Sequence, residues 1–210
     1  MDSLLDDVSI EIFRRLSAPG FVNLAPMLTV SKKHSQLAFS EGVLRMLSLD
    51  EFFNNADLIN EGSAFRSFFV KCVAAKKHVA VYLESIRIAA QTMDINMSIS
   101  LLFSAVPDSD YTLFARGIFL ITADFPSEGV ATISALFARV GSMDRMDVIG
   151  NVVYRHLLIF RPLPRRLFAN LRVVDSIPRC LGNNCTNHRR CLNCFVFWFV
   201  VKFNNILRSG

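Results

Sequence analysis

This chain of 210 residues has a single tryptophan, seven prolines and nine glycines, and it lacks any long apolar run. The best candidate for a membrane span, Phe195 to Val201, is seven apolar residues followed by Lys202, whereas crossing a bilayer takes roughly 20. No span is therefore expected, despite 52% hydrophobic residues and a mean hydropathy of +0.36. Asp2, Asp6 and Asp7 occupy the place where a secretory signal would be basic. A cytoplasmic or nuclear protein is expected, with its five cysteines reduced or metal-bound rather than paired. The glycosylation patterns at Asn96 and Asn184 carry no weight without secretion. No Gly-rich phosphate loop or nucleophile elbow is present, and no enzyme is expected. Asp144 and Asp147 near His156, His78 after Lys76-Lys77, and Cys72 in an apolar stretch all read as structural.

Phenylalanine is abundant: nineteen residues, enough mid-sized anchors for a substantial core in one or two units. The net charge of +5 is uneven. From Arg155 onward there are ten Lys or Arg and one acid, Asp175, so the preceding residues are mildly acidic. A basic tail suits an acidic protein surface or nucleic acid, or forms a solvated rim.

At the N-terminus, Val8, Ile12, Phe13 and Leu16 recur at helical spacing, with Ile10 on a second apolar edge. Asp2 or Ser3 suits a helix N-cap, and Asp6 and Asp7 suit the first turn. Arg14 and Arg15 suit the last turn, and Pro19-Gly20 ends the helix. A helix this short needs its apolar surface covered by its own module or by a partner. The order Leu4-Leu5-x-Asp7, Val8-Ser9-Ile10, Glu11-Ile12-Phe13-x-Arg15-Leu16, a proline break, and Val30-Ser31-Lys32-x-His34 resembles an F-box, the helical module by which substrate receptors dock onto the Skp-family adaptor of cullin ubiquitin ligases. Leu5 stands where proline is usual, Ser9 where an aliphatic is usual, and His34 where tryptophan is usual. The resemblance implies adaptor contacts at Leu4, Leu5, Val8, Ile10, Ile12, Phe13, Leu16, Leu24, Leu28, Val30 and Leu37.

The middle of the chain repeats. Ile99 to Val106 is echoed by Ile133 to Val140 at a spacing of 34, and Tyr82, Ser85, Ile86 and Ile88 by Phe114, Gly117, Ile118 and Leu120 at a spacing of 32. Helix-turn-helix units of this length characterise tetratricopeptide-type and Sel-like solenoids, which usually need about 3 units. Phe65, Phe68, Phe69 and Cys72 on one side, and Val148, Val152, Tyr154 and Leu158 on the other, are expected to supply flanking helices. Ser85, Ala115 and Gly117 are small enough to let paired helices approach. Ile99, Phe103, Ile133 and Phe137 are expected to face the shared core.

Cys180, Cys185, His188, Cys191 and Cys194 have the spacing C-x4-C-x2-H-x2-C-x2-C. Thiolate pairs separated by two residues wrap a metal tightly, and Zn²⁺ takes four such ligands in a tetrahedron. The loop between the pairs is short for a zinc ribbon. Four of the five candidates would bind one structural zinc, either Cys185, His188, Cys191 and Cys194 or the all-cysteine set; the alternatives are a redox pair at Cys191 and Cys194 or plain free cysteines.

Along its whole length the chain resembles plant F-box proteins that carry Sel-like repeats and a C-terminal Cys/His element. The expected fold is mostly α: a three-helix F-box over 1–45, a linker or short connecting helix over 46–61, helical hairpin repeats over 62–160, and a basic Cys/His-rich tail over 161–210. The run Phe195–Val201 is expected as a buried strand or helix packing the metal loop onto the repeats. The function that the resemblance implies is substrate receptor of a Skp–cullin–F-box ligase, with the adaptor and cullin complex and an unidentified target as partners. Neither membrane nor nucleic acid is expected as a partner. The rivals are a helical-repeat scaffold without a ligase role, or a nucleic-acid-binding tail that stacks bases on Phe195, Phe197 and Trp198 and holds phosphates with Arg165, Arg166, Arg189 and Arg190.

Overall fold

A computed structural model describes residues 2–24, 26–105, 108–160 and 191–208. Among them the chain is mostly α, with no strand. No helix among the described residues is long and apolar enough to cross a membrane. The chain divides into two compact units, 1–83 and 84–210.

The first unit opens with α1 (Asp2–Ser17). Its chain turns back after Ser17, where Gly20 takes a positive φ of 149° and its N–H donates to the Ser17 carbonyl, as the Pro19-Gly20 stop requires. Four short helices follow: α2 (Phe21–Leu24), α3 (Met27–Val30), α4 (Lys32–Ala38) and α5 (Glu41–Met46). The expected three-helix module is thus one longer helix with several short ones folded against it. Ser31 caps α4 by accepting from the His34 N–H at 3.1 Å. Lys33 Nζ reaches Asp6 at 2.6 Å and ties α4 to α1.

Residues 46–61, expected as a linker or connecting helix, are part of the packed interior. They hold α6 (Asp50–Asn54) and a 3-10 turn (Ala56–Ile59), and Leu47, Leu49, Phe52, Ala56 and Ile59 are buried. The polar Asn, Asp and Glu side chains that suggest a linker lie between these inward residues, an amphipathic pattern at short range. With α7 (Arg66–Ala74), Phe21, Phe52, Phe65 and Phe68 form an aromatic cluster with ring centroids 4.2–6.2 Å apart. Phe68, Phe69 and Cys72, expected to flank the repeats, therefore serve the first unit's core.

The boundary between the units falls within α8 (His78–Gln91). The second unit continues with α9 (Ile95–Ser104), α10 (Asp110–Thr122), α11 (Pro126–Val140), α12 (Met143–Ile159) and α13 (Leu192–Arg208). Asp94 caps α9 and Ser109 caps α10, each accepting from the backbone N–H three residues on, Pro126 occupies the first turn of α11, and Gly141 ends α11 in a left-handed conformation.

The two stretches that echo each other in sequence lie on α8 and α9, and on α10 and α11. Tyr82, Ser85, Ile86 and Ile88 are buried, and so are Phe114, Gly117, Ile118 and Leu120. Ile99 and Leu102 are buried, like their counterparts Ile133 and Leu136. Ser85 Oγ donates to the Ser98 carbonyl at 3.0 Å in the first pair. In the second, α10 and α11 cross where Gly117 meets Gly129: a Cβ on Gly129 would lie 2.6 Å from the Gly117 carbonyl oxygen. Two placements differ from expectation. Phe103 is 57% exposed, not in the core, with the Arg116 guanidinium 4.7 Å from its ring centre. On α12, Val148 and Leu158 are exposed, and the buried face is Met146, Ile149, Gly150, Val153, His156 and Leu157.

The C-terminal stretch is a core element rather than an appendage. α13 packs on α10, α11 and α12, and Phe195, Phe199 and Phe203 each come within 6.4 Å of the Phe114 ring, centroid to centroid.

Candidate partner-binding face

The residues that the F-box resemblance assigns to adaptor contact separate into two groups. Phe13 and Leu24 are buried. Phe13 stacks edge-on against His34, ring centroids 5.9 Å apart, and the His34 Nδ1 pairs with Ser31 Oγ at 2.7 Å. Ile10, Leu16 and Leu37 are half-buried. Val8, Ile12 and Val30 are exposed at 51%, 49% and 59%. The side chains of Leu4, Leu5 and Leu28 lie outside the described residues.

Val8 and Ile12 stand one helical turn apart on α1, so their side chains share a face. The other side of the helix meets α2, α4 and α5. A short helix that buries Phe13 inward and shows two β-branched residues outward carries apolar surface on two sides.

Of the proposed metal ligands, Cys180, Cys185 and His188 lie outside the described residues. Cys191 is half-buried and Cys194 buried at the start of α13. No group of three or more potential ligands occurs among the described residues. Of the aromatic residues considered for base stacking, Phe195 is buried against Phe114 and Phe199, so it cannot receive a base. Trp198 already carries Lys202 Nζ 3.7 Å from its ring centre. The four arginines invoked for phosphate contacts are outside the described residues.

Cys72 is fully buried and its thiol is pushed up to about 12 by burial, against a smaller opposing pull from Lys77. A thiol so far from ionisation is a core group and not a nucleophile. Sequence reasoning missed Lys77, whose ammonium donates to the Arg45 carbonyl at 2.6 Å and so satisfies an acceptor at the end of α5. Burial lowers its pKa, with Cys72 and Asp50 acting the other way. A lysine in a Lys-Lys-His run gives no sequence signal for that contact.

No family model matches the chain, and searches of curated proteins and of solved structures found no match.

Proposed function

We propose that the chain is the substrate-recognition subunit of a Skp–cullin–F-box ubiquitin ligase: its N-terminal module holds the Skp-family adaptor, and its helical repeats or its basic tail hold a target protein. The observation that carries this reading is the pairing of an ordered F-box-like sequence with the exposed, in-register Val8 and Ile12 and with exposed Val30. Such a subunit performs no chemistry itself; transfer of ubiquitin belongs to its partners. Cytoplasm or nucleus is the compartment this reading requires.

The test is co-expression with a Skp-family adaptor. A Val8→Asp, Ile12→Asp double variant places two charges in an apolar contact without touching the core. Burying each aliphatic side chain contributes about 1.5–3 kcal/mol, so the double variant should abolish a micromolar contact. Co-purification undiminished in that variant overturns the reading.

We also propose one structural zinc held by four of Cys180, Cys185, His188, Cys191 and Cys194. Elemental analysis of protein purified without added metal should give close to one equivalent of zinc, lost in Cys191→Ser, whereas Cys72→Ser leaves it unchanged. Zinc-free protein with α13 still folded would refute the site.

A further inference from the structure

An open groove of about 510 Å³ runs between α1 and α5, lined by Glu11, Arg14, Arg15, Ala18, Arg45 and Met46. Its chemistry is lopsided. Arg15 Nε lies 3.0 Å from Glu11, Arg14 Nη1 lies 3.8 Å from the same carboxylate, and Arg45 pairs with Glu41. Three guanidiniums thus share two carboxylates, and each guanidinium, with five N–H donors, keeps most of them unused. Gly42 contributes bare backbone: a Cβ there would lie 2.5 Å from Arg14 Nη2, so the absence of a side chain is what seats that guanidinium against α5. Ala18 and exposed Met46 add an apolar floor.

A ligand that satisfies this groove carries carboxylates and an aliphatic group together. Planar guanidiniums pair with carboxylates bidentately, and methionine adapts to irregular apolar side chains. A nucleic acid is a poorer fit, because no aromatic side chain lines the groove for base stacking. We infer that this groove docks an acidic peptide segment of a partner protein, with carboxylates on Arg14, Arg15 and Arg45 and one aliphatic side chain on Ala18 and Met46. The groove adjoins the Val8 and Ile12 face along α1 but is lined by other residues.

The experiment is fluorescence anisotropy of the full chain with a labelled decapeptide of Glu and Asp carrying one central Leu. Saturable binding is expected at low salt, weakening as salt rises because the charges are solvent-exposed. Arg14→Glu with Arg45→Glu should weaken it about tenfold or more, since like charges then face each other, with an unchanged far-UV circular dichroism spectrum. Arg14→Gln with Arg45→Gln should weaken it less, and Gly42→Val should weaken it by displacing the Arg14 guanidinium. Val8→Ser with Ile12→Ser, which adds no charge beside Arg15, should leave peptide binding intact while weakening any adaptor contact, which separates failure of this site from failure of the adaptor reading. Absence of binding, equal binding by the charge-reversed protein, or displacement of the peptide by a single-stranded RNA decamer at lower concentration would overturn the inference.

Discussion

Helices α1 and α10 share amphipathic patterning but use it differently. On α10, Phe114, Ala115, Ile118, Phe119 and Leu120 are all buried, because α9, α11, α12 and α13 surround the helix. On α1, packed by short helices on one side, Phe13 is buried while Val8 and Ile12 stay in solvent. Apolar periodicity therefore states which residues lie on one face; only the number of packed neighbours states whether that face is core or contact surface. A helix with apolar residues on more faces than it has neighbours has surface left for a partner.

The largest effect that tests this comparison is on the second unit's core. Phe114→Ala removes a fully buried ring that meets Phe195, Phe199 and Phe203, and should cost about 3–5 kcal/mol in urea unfolding. Val8→Ala and Ile12→Ala should each change stability by about 0.5 kcal/mol or less, as surface substitutions do. If Ile12→Ala destabilised the protein as much as Phe114→Ala, the α1 face would be covered within the chain and the comparison would collapse.

A middle-sized effect separates the two repeat units. Phe103 and Phe137 are equivalent by spacing, yet Phe103 lies outside under Arg116 while Phe137 is half-buried. Phe103→Ala should cost only about 0.5–1 kcal/mol, the scale of an exposed cation–π contact. Phe137→Ala should cost more. Equal losses would return Phe103 to a shared core.

The helical character of this stretch was legible because its signal is local: most of the positions that echo each other 32 or 34 residues apart are buried, with Phe103 an exception. The face of α12 was not. Gly150 and His156 point inward and carry no apolar signature, and Gly150 is buried because a Cβ there would meet the Phe199 ring at 2.4 Å, from a helix distant in sequence. The place of α13 was only half legible. Its aromatic run announces burial, but the surrounding Cys, His and Arg residues suggest an appended tail, while Phe114 on α10 makes it core. At the candidate site, adjacent Ile12 and Phe13 are equally apolar in the sequence, and only the folding of α4, which brings His34 onto Phe13, decides which of them faces inward.

The smallest expected effect is a pH dependence confined to the first unit. His78 is half-buried at the start of α8, and burial, aided by neighbouring Lys77, holds its imidazole below the ordinary value of about 6.5. Between that ordinary value and the lowered one, the unfolded chain binds a proton that the folded chain lacks. Stability therefore rises with pH across this window and falls as the solution is acidified from neutrality. The slope should amount to less than one proton, because the ring keeps contact with water. The informative quantity is a difference: urea midpoints of wild type and His78→Gln measured from pH 7 down to pH 5. The variant should lose less stability over that interval, converging with or overtaking wild type at the acid end. Parallel curves would mean that His78 is as well solvated as a free imidazole, and that the packing at the start of α8 is looser than its neighbours Lys77 and Cys72 imply.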